Sequence, residues 1–428
     1  MQSARLIVKN FGPLKYINIE VRDFLCLIGK QATGKSTIAK LIAIFEDENF
    51  RKYDVVSFEK ELEKYNMLNF FSDETEILYL AGSYSFLYSN GRGTKMNLRE
   101  TIKNNILKSF DNKNYLAKDF FEDFQSLNKI DDLNFQKYQN NNFDMFNKEF
   151  IKTVFEKNNI NRDDIITEEI LEHFLTYYDS LMLKYGIDVF FDSQYIPSER
   201  NFLHIIAENT LGLINNDVQI PKHLLEIGQE YEKALNVVKE IPLNLIDKKY
   251  SYKREGKTSY IYHNKEEKTD LLQSASGLQS IIPIILLIEY AKTLKENYHF
   301  NYVVEEPELN IYPETQYELV KYLVKNIFDF KVKNYQRKKM VMTTHSPYIL
   351  ASINNLLLAF EKGKEKPNEV HKIIKRQSWI NPEFFNVYEL RNGKSYKIMN
   401  DSLGQIKSNI IDNVTDKFSN EFDKLLAL

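Results

Sequence analysis

The chain has 428 residues, a formal net charge of -3 and 27% charged residues, so a nucleic-acid surface, if there is one, is a local patch and not a property of the whole molecule. That length fits two or three domain-sized units, or one domain carrying a large insertion. Cys26 is the single cysteine and excludes an internal disulfide, while the longest apolar run, Ile281 to Ala291, contains Pro283 and Glu289 and is too short to span a bilayer.

Met1-Gln2-Ser3-Ala4-Arg5 leads straight into a strand pattern and not into a secretory leader, which sets the expectation of a soluble, cytoplasmic protein without membrane contact. Residues 5–28 read as β: Leu6-Ile7-Val8, a turn at Phe11-Gly12-Pro13-Leu14, the alternating Ile17-Asn18-Ile19-Glu20-Val21, then the apolar Phe24-Leu25-Cys26-Leu27-Ile28. Next comes Gly29-Lys30-Gln31-Ala32-Thr33-Gly34-Lys35-Ser36-Thr37, which fits G-x-x-x-x-G-K-[ST] in full. Ile38, Leu41, Ile42 and Phe45 follow at helical spacing. Strand, glycine loop and helix form the context this phosphate-binding motif needs. Its glycines let successive N–H groups converge on a phosphate, and the new helix adds its positive end. All nine residues, Gly29, Lys30, Gln31, Ala32, Thr33, Gly34, Lys35, Ser36 and Thr37, are candidate nucleotide-binding residues. Lys35 can reach the β- and γ-phosphates, and the Ser36 hydroxyl can ligate Mg²⁺.

From about residue 50 to 185 glycine becomes scarce, and helical stripes recur at Phe146, Phe150, Val154 and Phe155 and at Ile170, Leu171, Phe174, Leu175 and Tyr178. The pattern predicts a mostly helical insertion over 56–185, with a polar loop at Gln139 to Asn142. Inside it Asn128-Lys129-Ile130-Asp131 fits the guanine-reading N-K-x-D. The motif should cap a hydrophobic strand, however, and Phe121 to Leu127 has an amphipathic helical pattern, so a GTPase is disfavoured. Strand character returns at Ile187 to Phe191 and at Tyr195-Ile196-Pro197. A hairpin is expected around Glu255-Gly256-Lys257, then alternating helices and strands from Gln273. Asn392-Gly393 marks a two-residue hairpin, and Ile411 to Leu428 a short amphipathic helix. Basic runs at Lys248–Lys257 and Lys331–Lys339 are of the kind that is usually a solvated face, which leaves DNA binding as an alternative.

Three further stretches carry chemistry. Asn301 to Glu308 is an apolar strand ending in two acids: Glu305 is placed to hold Mg²⁺, and Glu306 to orient and deprotonate a water. Ser274-Ala275-Ser276-Gly277-Leu278-Gln279 precedes a long apolar helix whose free N–H groups suit an anion. Met340 to Pro347 is a strand ending in His345, which can hydrogen-bond a γ-phosphate; Ser346 is an expected N-cap and Pro347 the first helical residue.

In order, GKQATGKST, SASGLQS, VVEEPE and TTHSP resemble the Walker A, signature, Walker B and histidine-switch motifs of the ABC-type ATPase head shared by SMC-like, RecF-like and OLD-like proteins, over residues 1–50 and 186–400. The resemblance implies an α/β head, a mixed sheet with flanking helices, interrupted by the helical insertion. Its parts are residues 1–55 with Walker A, 56–185, 186–272 with the Q-loop region, and 273–428 with the remaining motifs. It also implies ATP and Mg²⁺ as ligands, ATP hydrolysis with Glu306, His345 and Lys35 as catalytic residues, and head dimers that sandwich two ATPs. In such a dimer Ser276 of one copy, with Gly277 and Gln279 beside it, contacts the γ-phosphate bound to the other. The sequence departs from the pattern at Glu305, where Asp is usual, and at Ala32 and Leu278, where Gly is usual. The Q-loop is either Gln194, a candidate Mg²⁺ ligand, or the stretch Tyr195 to Arg200. YIPSER, SASGLQS, EEPE and THSP together resemble the compact ATPases of bacterial anti-phage systems such as PARIS and Septu. No D-x-D pair follows Pro347, so Toprim-type nuclease chemistry is not expected in the same chain, and a separate effector protein is the expected partner. A nucleotide-gated scaffold with negligible turnover and a repair-type ATPase acting on DNA are the alternatives.

Overall fold

The computed structural model describes residues 4–52, 57–81, 84–97, 167, 191–208, 219–264, 266–294, 299–328, 338–407 and 409–426. The chain forms two compact units, one of Met1–Ile7 with Glu76–Phe190 and one of Val8–Thr75 with Phe191–Leu428.

In chain order, β1 (Ala4–Phe11), β2 (Leu14–Val21) and β3 (Phe24–Gly29) lead into α1 (Lys35–Glu46), α2 (Glu48–Lys52) and α3 (Phe58–Lys64). There follow β4 (Glu76–Ala81), β5 (Tyr84–Ser89), β6 (Arg92–Asn97), β7 (Asp192–Ile196), a 3₁₀ turn at Ser198–Phe202, and α4 (Lys222–Val237). Next are β8 (Glu240–Pro242), β9 (Ser251–Glu255), β10 (Thr258–Tyr262), β11 (Lys268–Asp270) and α5 (Ser276–Ala291). The remainder is β12 (Phe300–Glu305), α6 (Pro313–Phe328), β13 (Lys338–Thr344), α7 (Pro347–Glu365), α8 (Pro367–Ile373), β14 (Phe385–Arg391), β15 (Lys394–Lys397) and α9 (Ile410–Leu426).

The larger unit is built on a mixed sheet in the order β2-β15-β14-β3-β13-β12-β7. Its centre is parallel: β14, β3, β13, β12 and β7 all run the same way. All six residues of β3 and all six of β12 are buried, as an uninterrupted apolar run predicts for a strand covered on both faces. Side chains alternate between two layers. Cys26, Ile28, Val304 and Met342 pack with residues of α5, α6 and α7, such as Leu286 and Leu323. The equally buried Leu25, Leu27, Val303 and Val341 point the other way, toward the side on which α1 packs. A separate antiparallel sheet, β11-β10-β9-β8, contains the expected hairpin, with Gly256 at φ +59.

Within the smaller unit the expectation of helix does not hold for residues 76–97, where β4 pairs with β5 and β5 with β6, both antiparallel. Ile77 and Tyr79, then Tyr84, Phe86 and Tyr88, are buried at every second position, a period-two signal. Asn90 and Gly91 have φ of +51 and +72, the turn geometry a tight hairpin requires. The stripes at Phe146–Phe155 and Ile170–Tyr178, the polar loop at Gln139–Asn142, the N-K-x-D sequence and residues 187–190 of the expected strand lie outside the described residues. At the other end of the chain, Asn392 and Gly393 have φ of +52 and +75 and join β14 to β15 as expected. Among the described residues no helix is long and apolar enough to cross a membrane.

A buried ionic cluster fixes the far end of α1 to the sheet. Lys339, on β13, places its Nζ 2.8 Å from Glu46 Oε1. Arg51 reaches the other Glu46 oxygen at 3.0 Å and donates through Nε to the Phe45 carbonyl. Glu46 is fully buried, so removing a cationic partner strands a charge in an apolar setting. Lys339→Ala is expected to destabilise the protein by about 3 kcal/mol, measured as a shift in the urea unfolding midpoint. A change within about 0.5 kcal/mol, the range of ordinary surface substitutions, would show that the cluster does not hold α1 in place.

Candidate active site

Parallel pairing collects the relevant residues at one sheet edge. Thr344 is in register with Ile28, and Glu305 with Thr343, so the strand ends that lead into the glycine loop, Glu306 and His345 lie side by side. The loop turns out of β3 at Gly29, whose φ is +148. A β-carbon there would sit 2.6 Å from the Leu390 carbonyl oxygen. Gly34, at φ +94, precedes α1, and a β-carbon on it would meet Leu14 at 2.3 Å. Ala32 has φ +60, so the loop adopts at this residue a left-handed turn that suits glycine better. Gly34 gives α1 no side-chain cap, and the first turn carries no acid. The leading N–H groups of the helix therefore keep their capacity for an anion. Thr33 closes the loop by donating to the Lys30 carbonyl at 2.8 Å.

Lys35 is buried and folds back on the loop, its Nζ donating to the Gly29 and Lys30 carbonyls at 3.0 and 2.9 Å. Burial pulls its ammonium down from 10.5 to about 8, against the opposing pull of Glu306, Glu305 and Glu308.

Glu305 is buried at the end of β12, and burial raises its carboxyl above the ordinary range, opposed by hydrogen bonds from Ser36 and Tyr195. Its Oε1 is buried without a protein partner. An orphaned carboxylate oxygen beside a hydroxyl on the first turn of α1 is a hard-oxygen donor set, and it fits Mg²⁺. Ser36 and Glu305 would hold the ion, which when bound would stabilise the ionised carboxylate and neutralise phosphate charge. Gln194 does not join them. It is in register with Tyr302, and Tyr195 with Val303; strand alternation therefore turns Gln194 to the face opposite Tyr195 and Glu305. Tyr195, the next residue, is the one that meets Glu305.

Glu306 has φ +42, a left-handed backbone that costs a residue bearing a β-carbon about 1 kcal/mol. Its N–H donates to the Thr343 carbonyl at 3.0 Å, and its carbonyl accepts from Leu309 N at 3.0 Å and Arg200 Nη2 at 2.8 Å. The turn aims the side chain at His345, whose Nε2 lies 3.2 Å from Glu306 Oε1. That hydrogen bond, helped by Lys35 and Arg200, holds the carboxyl below the ordinary range, so it is ionised at neutral pH. His345 is set in turn by Glu308, whose Oε1 accepts from the His345 N–H at 2.8 Å and from Thr344 Oγ1 at 2.7 Å. Ser346 caps α7, accepting from Tyr348 and Ile349 N–H groups, with Pro347 following.

Ser276 is exposed as the first residue of α5, and its N-cap Ala275 has no side chain to satisfy the helix amides. Gln279 donates to the Leu272 and Ser274 carbonyls, bracing the turn before the helix. Gly277 allows a close approach, since a β-carbon would fall 2.6 Å from the Asn310 carbonyl oxygen. The segment thus packs against the loop after Glu306, while Ser276 faces outward. As a whole the site can grip phosphates, hold a hard cation and activate a water. Glu308 carries no role in the motif reading, and within the alternative Q-loop stretch Tyr195 to Arg200 it is Tyr195 and Arg200 that reach the site. Glu308 stands in the EEPE string, three positions after Glu305. Tyr195 lies within β7 and Arg200 just after it, both inside the YIPSER string.

The AAA_15 family, AAA ATPase domain, matches residues 1–350. A comparison with curated proteins gives no match. Among solved structures, the chain is similar to the SMC head domain of Pyrococcus furiosus with an extended coiled coil bound to the C-terminal domain of ScpA, at 10% identity and a TM-score of 0.36, covering 93% of this chain and 96% of that one. It is also similar to the SMC head domain from Thermotoga maritima, at 11% identity and 0.34, covering 93% and 98%. A third is a nucleotide-free ATP-binding cassette from an ABC transporter, at 12% and 0.31, covering 92% and 90%.

In the free protein Lys35 loses its proton as pH rises through about 8. A bound polyanion favours the charged form, so binding between that value and the ordinary 10.5 takes up a proton. Calorimetric titration of Mg²⁺–ATP at about pH 9, in buffers of different ionisation enthalpy, is expected to show this uptake together with affinity that weakens as pH rises. Affinity independent of pH across that window would contradict the burial argument.

Proposed function

The chain belongs to the AAA ATPase domain family, and from that premise we propose that it is an ABC-type ATPase that binds Mg²⁺–ATP and hydrolyses it slowly, in a composite site closed by a second copy of itself. The observation that carries hydrolysis, over binding alone, is the Glu306–His345 pair. It is held just past the ends of β12 and β13, with Glu306 on a strained backbone and its carboxylate ionised. Lys35 and the α1 amides bind phosphate, Ser36 and Glu305 hold the cation, and Glu306 takes the proton from water while His345 faces the γ-phosphate. Closure by a second copy is supported by the outward-facing Ser276 at an uncapped helix start. Such assembly makes turnover slow at low protein concentration. Control of a separate effector protein in anti-phage defence is supported by the resemblance of YIPSER, SASGLQS, EEPE and THSP to the ATPases of such systems.

Nothing favours the DNA-directed alternative. In the first basic run, Lys253 pairs with Glu240 and Arg254 with Glu208, and Lys248, Lys249 and Lys257 are exposed, the arrangement of a solvated face of mixed charge. Most of the second run lies outside the described residues.

Glu306→Gln is expected to lower kcat by about 10²-fold or more while retaining ATP and trapping the assembly, whereas Lys35→Ala loses nucleotide binding. Turnover unchanged in Glu306→Gln would remove Glu306 as the base. Specific activity should rise with protein concentration, and mass measurement should show a larger species with ATP. A concentration-independent rate from a monomer contradicts the composite site, and an ATP-dependent mass change with negligible turnover favours the scaffold.

A further inference from the structure

Arg200 is fully buried, yet the hydrogen bonds of its guanidinium run to backbone carbonyls and not to a carboxylate. Nε donates to Ser280 O at 2.8 Å, Nη1 to Pro197 O at 3.1 Å and Glu305 O at 2.7 Å, and Nη2 to Glu306 O at 2.8 Å. Burying a cation is costly; the nearby Glu308, Glu306 and Glu305 carboxylates offset part of that cost, and the planar fork adds a set of hydrogen bonds that a point charge cannot make. One edge of the fork grips the first turns of α5, and the other grips Glu305, the last residue of β12, and Glu306, the first residue beyond it. Nearby on the same segment, His204 adds a second hold on α5: its Nε2 meets the Gln279 carbonyl at 2.9 Å, and Tyr231 OH meets its Nδ1 at 2.7 Å. The tautomer follows, with Nε2–H donating to the carbonyl and Tyr231 donating to Nδ1. Burial keeps this ring neutral by pulling its pKa down to about 4.

The carbonyl Arg200 holds on Glu306 belongs to the residue in the left-handed conformation. Release that carbonyl and the turn can relax toward a commoner backbone, swinging the carboxylate away from His345. The same guanidinium fixes the helix on which Ser276 is the first residue. We propose that Arg200 is a positioning residue which locks the Glu306 turn and couples it rigidly to the Ser276 segment, so that the geometry of the hydrolytic carboxylate and the face offered to the second copy change together. This rests on the composite-site reading above; what it adds is a mechanical link inside one chain, through a residue that touches neither nucleotide nor partner.

The first test is Arg200→Lys, which keeps the charge but cannot span both edges from a single nitrogen. At saturating ATP, kcat is expected to fall by about tenfold to a hundredfold, with the dissociation constant for Mg²⁺–ATP within about threefold of the parent. A role confined to stability would instead scale activity with the folded fraction and leave the rate per bound nucleotide unchanged; kcat within about threefold of the parent overturns the proposal. The second test needs no change at Arg200 and so is unaffected by a variant that misfolds. Amide exchange in the Glu306→Gln protein is compared with and without Mg²⁺–ATP, at a protein concentration where mass measurement shows a single copy, so that protection near Ser276 does not come from the nucleotide of a second one. Protection is expected to appear together at residues 305–311 and 276–282, whereas protection confined to 305–311 overturns the coupling. A parent protein that bound ATP without turning it over would sink the hydrolysis reading alone, with the exchange comparison still judging the coupling.

Discussion

Parallel strand pairing imposes a direction on this molecule. When β3, β13, β12 and β7 run side by side, every strand releases its chain at the same edge, and the polar residues that follow the apolar runs have nowhere else to gather. The site therefore needs no long-range folding instruction beyond the register itself. Sliding β12 by one residue against β13 would turn Glu305 to the opposite face, away from Ser36, and move Glu306 out of reach of His345. The apolar side chains that fill both faces of these strands make that slip prohibitive, so the core and the chemistry are specified by the same contacts.

That edge concentrates charge. Glu305, Glu306 and Glu308 act together on Lys35 and Arg200, and the three acids have distinct surroundings. Glu305 is buried and raised, beside a hydroxyl and with one oxygen unpartnered. Glu306 is half-buried and lowered, bound to an imidazole. Glu308 braces the histidine from its backbone side. Carboxylates that differ only in environment can divide labour between holding a cation, accepting a proton and setting geometry. Their proximity also explains why basic groups are buried here at all.

The parts of this arrangement that depend on near neighbours were legible in the chain. The glycine loop, the hairpin at Asn392-Gly393 and the Ser346-Pro347 helix start each follow from a few adjacent residues, whose backbone requirements are specific. The period-two burial and the Asn90-Gly91 turn of β5 and β6 were also written there, but an aromatic-rich stretch inside a region of helical stripes conceals them. Gln194 failed for a different reason. A pattern can place a strand while leaving its phase open by one residue, and one residue decides the face. Arg200 stood in the YIPSER string, but its partners were beyond reach because the acceptors on Ser280 and Glu305 lie 80 and 105 positions further along, and backbone carbonyls have no signature in a sequence.

Lys35 is chelated by its own loop, through the Gly29 and Lys30 carbonyls. The cradle is thus a receptor with a built-in competitor. An arriving anion must displace two good acceptors before it gains the ammonium, which sets a threshold that a singly charged ion meets poorly. A chain of adjacent phosphates can engage the helix amides first and take over the lysine afterwards. A loop built this way would favour polyphosphates over small anions through its own geometry alone.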